Sequence, residues 1–274
     1  MPQSLSLDMI SAGLTDVGRT RKRNEDCYDV SNEIGLAVVC DGMGGHAGGD
    51  IASRTAAETI VDFVYEYEPS GLEASAAEAD QERTQAGPMA VEPAVQSAVQ
   101  TIRAAVHLAN RKLVQLNQER GYPDGRGMGT TVVGLWRVEG SDKLVAFHAG
   151  DSRLYRLRRG ELRQLTRDHS LYQIWLDNGQ RGQAPHKNII VRALGTSENV
   201  DPEISVHIID PSDIYLLCSD GLTGMVTDGS LAEILVQGGA DLDSSAARLV
   251  GMANDLGGHD NITVVLARFV KARA

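Results

Sequence analysis

The sequence runs Leu36-Ala-Val-Val-Cys40 and then Asp41-Gly-Met-Gly-Gly-His-Ala-Gly-Gly-Asp50. The first five residues are all apolar, which predicts a short buried strand. That strand ends at an aspartate and a loop with five glycines, and glycine lets the backbone approach an ion or a phosphate closely. A helical pattern follows at once. The plain interpretation is a tight turn between a strand and a helix; the functional one is a carboxylate held rigidly at a strand end.

The combination of an apolar run and an aspartate recurs later in the chain. Two further aspartates follow apolar runs and a third precedes one: Asp151, Asp220 and Asp260. If the strands pair in sheets, these side chains and Asp41 can converge on one point. Like charges gathered so closely repel each other unless a cation neutralises them. Carboxylate ligands without a cluster of Cys and His suit Mg or Mn rather than zinc, so the residues alone indicate a hard-cation site at strand ends.

Composition and charge narrow the class of protein. The 274 residues suffice for one large domain, carry a formal net charge of -11 and give a pI of about 5.1. This acidity argues against binding to nucleic acid or to an anionic membrane. No apolar run reaches the roughly 18 residues that a membrane span needs, and the N-terminus lacks a signal-peptide pattern. Three cysteines without zinc or disulfide spacing favour a cytoplasmic protein, which we expect to be a monomer.

Apolar periodicity gives a coarse order of strands and helices. It predicts helices over residues 50–67, with Asp50 as the N-cap, and over 93–118, 231–237 and 244–256. It predicts strands over 11–18, 36–40, 130–138, 144–149, 153–157, 161–165, 204–209, 214–218 and 262–270. Because many strands follow one another without helices between them, antiparallel pairing is favoured. The pattern indicates an α+β fold in which helices cover the faces of sheets.

Three segments stand apart from that pattern. Residues 68–92 are rich in Ala, Glu, Asp, Gln and Gly, which indicates a mobile acidic insertion between two helices. Residues 166–195 have little strand character around a short helical piece at 171–177, and we interpret them as a flap over the site. The stretch Arg19-Thr-Arg-Lys-Arg-Asn-Glu-Asp26 is either a solvated charged turn or a phosphate-binding arginine beside a metal-binding carboxylate.

Six motifs, taken in chain order, are together specific to one family. They are Arg21-x-x-Asn24-Glu25-Asp26, Asp41-Gly-Met-Gly-Gly-His46, Gly129-Thr-Thr131, Gly150-Asp151-Ser-Arg153, Ser219-Asp220-Gly-Leu222 and His259-Asp260-Asn261-Ile-Thr263. From about residue 11 to 269 the chain resembles the metal-dependent serine/threonine protein phosphatases of type 2C (the PPM family), in the bacterial branch. The resemblance implies a single phosphatase domain over residues 1–274. It also implies a four-layer α-β-β-α sandwich, two antiparallel sheets flanked by helices, with the metal site in a cleft at one end.

The resemblance further implies roles for individual residues. Asp41 would bridge two Mg or Mn ions, and the Gly42 carbonyl would ligate one of them. Asp220 and Asp260 would hold the other ion, while Asp151 and Asp220 match residues that hold a third, weaker metal in bacterial members. At the remaining matched positions, Glu25 would act mainly through metal-bound water, and Arg21 would bind the substrate phosphate. Asp26 and Asn261 would support the ligands without binding metal.

The chemistry that the resemblance implies is hydrolysis of phosphoserine and phosphothreonine on proteins by a metal-activated water, opposing a Ser/Thr kinase. Arg21 would stabilise charge on the phosphoryl oxygens. The acid that protonates the leaving alkoxide is the open role. Many eukaryotic members carry a histidine directly after the Asp-Gly pair, where this chain has Met43. His46, three residues later, is either that acid or a structural loop residue, and a metal-bound water is the other candidate.

Two other functions use parts of the same pattern. A pseudophosphatase acting as a binding module would be signalled by the loss of a metal aspartate, and all four aspartates are present. A phosphohydrolase of small molecules, or a regulator that dephosphorylates one dedicated partner, would use the same metal site. The leading hypothesis is therefore a phosphoprotein phosphatase.

Overall fold

Two antiparallel sheets form the centre of the computed structural model, which describes residues 7–44, 48–67, 92–122 and 127–271. Strands are numbered in chain order. The first sheet contains, in spatial order, β1 (Leu7–Asp16), β11 (Ile262–Lys271), β10 (Ile214–Cys218), β7 (Arg153–Arg158) and β8 (Glu161–Gln164). The second contains β2 (Asp26–Ser31), β3 (Leu36–Met43), β5 (Val132–Arg137), β6 (Lys143–Ala149) and β9 (Glu203–Ile208), with the short β4 (Gly129–Thr130) paired to β3.

Helices cover the outer face of each sheet. On the second sheet lie α1 (Gly49–Tyr65) and α2 (Pro93–Glu119), and on the first lie α5 (Asp228–Gly238) and α6 (Leu242–Asp255). Two short helices, α3 (Leu171–Asp177) and α4 (Asp220–Thr223), complete the set described. Among the described segments no helix is both long and apolar enough to span a membrane.

The apolar run in β3 shows why the sheets stack. Val38 packs towards the helices, whereas Val39 packs towards the other sheet, because successive side chains of a strand point to opposite faces. The run has no polar position because both faces of the strand are buried. The four-layer α-β-β-α sandwich that the resemblance implied is therefore confirmed. One apolar layer lies between the second sheet and its helices, one between the two sheets, and one between the first sheet and its helices.

Most predicted elements are present. Strand β2 and the short helix α4 were not predicted. Asp50 is not the N-cap of α1: Gly48 holds that position and Asp50 lies in the first turn, because the glycine loop enters the helix two residues earlier. Residues 210–213 take the chain from β9 in the second sheet to β10 in the first.

The two irregular segments differ in what can be said of them. The flap at 166–195 contains α3 at the predicted bounds and is tied at its ends by isolated bridges, Ser170 to Ile190 and Thr130 to Leu194. The predicted acidic insertion at 68–92 lies outside the described residues, apart from Glu92, which is the N-cap of α2.

Candidate metal centre

Carboxylates from both sheets meet at one end of the sandwich. Asp41, near the end of β3, faces Asp26 across the β2–β3 ladder. Asp151 follows β6, while Asp220 follows β10 and Asp260 precedes β11. The structure thus brings together the four aspartates that the sequence placed beside apolar runs. The antiparallel order explains why these residues lie together, because the end of one strand lies beside the start of the neighbouring strand.

Burial, and then the charges of the neighbouring carboxylates, raise the pKa of these groups. Removal from water raises the pKa of Asp41 well above its ordinary range, and the charges of Asp26 and Asp220 raise it further. Burial, with the charge of Asp220, raises the pKa of Asp151 to about 7. Burial and the charge of Asp260 also raise the pKa of Asp220. Protons or a cation must therefore neutralise the cluster at neutral pH.

Two carboxylate oxygens in this cluster have no hydrogen-bond partner within the described part of the chain. They are Asp26 Oδ1 and Asp151 Oδ1, both buried. An unpaired buried oxygen of an ionised group costs several kcal/mol unless something compensates it. The candidate metal-ligand atoms in this cluster are all oxygens, which hard divalent cations such as Mg and Mn prefer. The residues present therefore fit the metal ions that the sequence indicated.

A close backbone crossing brings Glu25 and the start of α1 to Asp41. A Cβ atom on Gly42 would lie 2.1 Å from the Gly49 carbonyl oxygen and 2.5 Å from that of Glu25. The Gly42 amide donates to the same Glu25 oxygen at 3.1 Å. Only glycine fits here, so the sequence Asp41-Gly42 is required by packing as well as by chemistry. Burial raises the pKa of the Glu25 carboxyl, and the charge of Asp50 in the first turn of α1 contributes.

Asn261 holds the loop that contains Arg21 and Glu25. Its Nδ2 donates to the carbonyl oxygens of Val17 and Arg23 at 3.0 and 2.9 Å, and its Oδ1 accepts from the Glu25 amide at 2.8 Å. All of its hydrogen-bonding atoms are used by backbone groups. The predicted supporting position is thus one that orders the loop beside the carboxylates.

Asp26 links the two sheets at the base of the cluster. Its Oδ2 accepts from Ser219 Oγ and from Thr263 Oγ1, each at 2.7 Å. Burial raises the pKa of Asp26 to about 7, although these two hydrogen bonds lower it. Ser219 and Thr263 belong to motifs quoted above, but the sequence assigned them no contact. The sequence did place each of these hydroxyl residues close to a candidate metal ligand, Ser219 before Asp220 and Thr263 after Asp260, and this proximity could have indicated the contact.

Two threonines, at the end of β4 and directly after it, fix the main chain of Asp41. Thr131 Oγ1 accepts from the Asp41 amide at 3.0 Å, and Thr130 Oγ1 donates to the Asp41 carbonyl at 2.9 Å. Thr131 Oγ1 also lies 2.7 Å from Ser152 Oγ. These side chains therefore connect Asp41 to the loop that carries Asp151, a link that sequence reasoning missed.

The phosphate-binding candidate lies at the rim. Arg21 Nη2 donates to Asp260 Oδ2 at 2.7 Å, and the arginine side chain is 50% exposed. Part of its guanidinium therefore faces solvent beside the cluster, where it can meet an anion. His46, the candidate acid, lies outside the described residues.

Comparisons with known proteins agree with this geometry. The family model described as protein phosphatase 2C matches residues 19–258. The serine/threonine phosphatase Stp of Listeria monocytogenes is 35% identical over 260 residues, 92% of each chain. The crystal structure of PstP/Ppp from Mycobacterium tuberculosis has 30% identity and a TM-score of 0.78, covering 95% of this chain and 98% of that one. The PstP catalytic domain in complex with two manganese ions has 31% identity and a TM-score of 0.77, covering 97% and 100%. The chain therefore belongs to the protein phosphatase 2C family.

Proposed function

We propose that this chain, as a metal-dependent serine/threonine phosphatase of its family, removes phosphate from phosphoserine and phosphothreonine on proteins and so opposes a cognate Ser/Thr kinase. The observation that carries the proposal is the cluster of aspartates from both sheets, in which buried carboxylate oxygens have no partner among the described residues. Such a cluster is costly for the fold by itself. It becomes useful when divalent cations occupy it.

The proposed ligands are those that the family resemblance implies, and the convergence of these carboxylates at one end of the sandwich supports them. Asp41 would bridge two cations, with the Gly42 carbonyl and Glu25, through water, on one of them. Asp220 and Asp260 would hold the other, and Asp151 with Asp220 would hold a third. The two manganese ions of the PstP complex support a count of at least two. When bound, such cations neutralise phosphate charge and lower the pKa of water, which supplies a nucleophile near neutral pH.

The chain's own groups would orient the substrate. Arg21 can direct its guanidinium to the phosphoryl oxygens. A guanidinium donates two parallel hydrogen bonds to two phosphate oxygens, and this bidentate contact fixes the orientation of the phosphate. Asn261 keeps the Arg21 loop in place through backbone contacts to Val17 before it and to Arg23 and Glu25 after it. His46 is the proposed proton donor to the serine or threonine oxygen that leaves.

We also propose that residues 1–274 act as one domain, as a monomer in the cytoplasm. The cysteines at 27, 40 and 218 are free thiols, two of them buried, which suits a reducing compartment. Size-exclusion chromatography with light scattering would test the monomer: a mass near 29.4 kDa is expected, and twice that mass would contradict it.

The decisive experiment is hydrolysis of a phosphothreonine peptide by the purified full-length chain. It would be measured with added Mn, with added Mg and after chelation, beside Asp41→Asn. The control is Asp8→Asn, the same substitution at an exposed position at the other end of the sandwich. Phosphate release that needs metal and is lost only in Asp41→Asn supports the proposal. Folded protein that binds metal but releases no phosphate would contradict it.

A further inference from the structure

The first residues of the flap are attached to the loop that carries Asp151. His169 donates its backbone amide to the Gly150 carbonyl at 2.9 Å, and Gly150 returns its own amide to His169 Nδ1 at 3.2 Å. One residue before, Asp168 receives two short hydrogen bonds from the Arg153 guanidinium. The two residues that flank the pair Asp151–Ser152 are thus held by consecutive flap residues.

The hydrogen bonds define the tautomer of His169. Because Nδ1 accepts the Gly150 amide, it carries no proton, and the proton of the neutral ring lies on Nε2. Nε2 lies 3.3 Å from Glu203 Oε2, which can accept that proton, and 3.3 Å from Arg192 Nη1, which is itself a donor and cannot bond a protonated nitrogen. A carboxylate that accepts from one ring nitrogen fixes the other nitrogen as an acceptor. Glu203, on β9, therefore keeps His169 in the form that Gly150 needs.

The ring of His148 stacks on the His169 ring and so fixes the orientation of the His169 ring. The two rings are stacked with centroids 4.4 Å apart and planes within 6° of each other. His148 is 3% exposed, and its Nε2 bonds the Arg167 carbonyl oxygen at 2.8 Å. The stack is thus fixed to β6 on one side and to the flap on the other.

His148, His169 and Glu203 also present ligand atoms within 4.8 Å of one another, yet they do not form a metal site of their own. A metal ion binds in the plane of an imidazole, where the nitrogen lone pair lies. Since the two rings are parallel and stacked, no ion can lie in both planes. Arg192 Nη1 is moreover 3.3 Å from His169 Nε2, so a positive charge already faces that nitrogen.

Gly150 is a position where the backbone has little freedom to adjust. Its φ of +125° lies in the region that favours glycine, and a Cβ atom would lie 2.6 Å from the Thr131 side chain. Asp151, next in the chain, is 6% exposed and has Oδ1 without a partner among the described residues. The direction of that free oxygen therefore depends on how the Gly150 peptide is held.

We propose that His169 is a positioning residue for the metal site, because its Nδ1 holds the Gly150 amide and thereby directs the free oxygen of Asp151. The inference rests on the proposed function, which makes Asp151 a metal ligand. It also couples the flap to metal affinity, since His169 belongs to the flap and fixes the loop that carries Asp151.

Two substitutions at one position separate the acceptor from the packing. His169→Asn keeps an acceptor oxygen close to the place of Nδ1, whereas His169→Gln reaches the place of Nε2 and leaves the Gly150 amide unpaired. Manganese would be titrated into metal-free full-length protein by calorimetry, with Asp151→Asn identifying the weak site. We expect His169→Gln to weaken that site about tenfold, as for other residues that orient a metal ligand. We expect His169→Asn to leave it close to wild type and both variants to keep the tighter sites.

The outcomes separate this inference from the proposed function. If His169→Gln binds the weak manganese as wild type does, or if both variants weaken it equally, the positioning role is wrong. If Asp151→Asn changes no manganese binding, the ligand assignment fails first and the inference falls with it. Should His169→Gln not fold, Glu203→Ala decides, because Glu203 is exposed and its loss releases the tautomer. That variant should weaken the same site, and unchanged binding would contradict the proposal.

Discussion

Asp41 and Asp151 are both carboxylates at the end of a strand, but the chain holds them in different ways. Asp41 belongs to a ladder: it pairs with Asp26 on one side, and its amide and carbonyl bond Thr131 on the other. Asp151 lies in a loop whose flanks bond side chains of the flap. The first position is set by sheet register, whereas the second depends on a segment that the sheet does not include.

This difference separates what is permanent in the site from what can be adjusted. A residue inside a ladder moves only if the register changes, and a change of register would turn every side chain of the strand to the wrong face. A loop held by hydrogen bonds to the flap can shift at a cost of about 1 kcal/mol for each neutral bond and about 1.5–3 kcal/mol for each bond to a charged group. Metal binding by Asp41 should therefore be robust, and metal binding by Asp151 should respond to the flap.

The largest expected effect tests that difference directly. Asp41→Asn should lower kcat/KM for a phosphothreonine peptide by on the order of a thousandfold or more, because a bridging carboxylate would serve both of the tighter cations. Asp151→Asn should lower it by roughly tenfold to a hundredfold at limiting manganese. Steady-state kinetics over a range of manganese concentrations would show both. Equal losses in the two variants would remove the distinction between the two positions.

A smaller effect is expected at the rim. Arg21→Ala should raise KM for the phosphopeptide about tenfold or more and change kcat less, because a charge-assisted hydrogen bond to phosphate contributes about 1.5–3 kcal/mol. Initial rates across peptide concentrations would separate the two constants. Arg19→Ala is the control, since Arg19 is exposed on the same loop. A fall in kcat alone, with KM unchanged, would show that Arg21 does not bind the phosphate.

The same contrast explains which features could be predicted from the sequence. The run at 36–40 is apolar without a break because β3 is buried on both faces, and a rigid aspartate at its end follows from that. Strand β2 gave no signal because it lies at a sheet edge with mixed polarity, Asp-Cys-Tyr-Asp-Val-Ser, and only partial burial. The layer order came from the resemblance, since periodicity shows that a face is buried but not what covers it.

Contacts between side chains and backbone could not be predicted for a different reason. The main chain of Asp41 is bonded by Thr131, which lies 90 residues away in the sequence. The loop of Asp151 is held by Ser152, the next residue, and by His169 in the flap. Their types are common in turns, so nothing in their spacing shows that a partner exists. Such contacts depend on how the sheets and the flap pack, which only the three-dimensional structure specifies.

A third prediction concerns stability without metal. Because the folded state raises the pKa of Asp151 from 3.8 to about 7, the group favours folding at low pH, and this contribution is lost as the pH rises from about 4 to about 7. Metal-free wild type should therefore unfold at a lower temperature at pH 8 than at pH 5.5. Asn at 151 cannot ionise, so Asp151→Asn should show a smaller fall and melt a few degrees higher at pH 8. Thermal unfolding with a chelator would measure this, beside Asp8→Asn, which should follow wild type. An equal fall in Asp151→Asn would contradict the assignment of the charge cost to that carboxyl.

The smallest effect is expected far from both aspartates. Helix α1 has 17 residues and is about 25 Å long; its first turn lies beside Glu25, so its last turn lies at the other end of the sandwich. There Tyr67 meets Ser97 on α2 through their hydroxyl groups, which places the two helix ends close together. Deleting Ala74 to Gly87 leaves ten residues between Tyr67 and Glu92, which can span about 30 Å.

That deletion should therefore leave the hydrolysis of a small aryl phosphate within about twofold of wild type, because neither the ladder around Asp41 nor the flap contacts of Asp151 involve this end. The measurement is kcat/KM for the aryl phosphate at saturating manganese, with the melting temperature as a check on folding. A tenfold loss of activity in a stably folded deletion variant would show that the site depends on a third region, which neither the strands nor the flap accounts for.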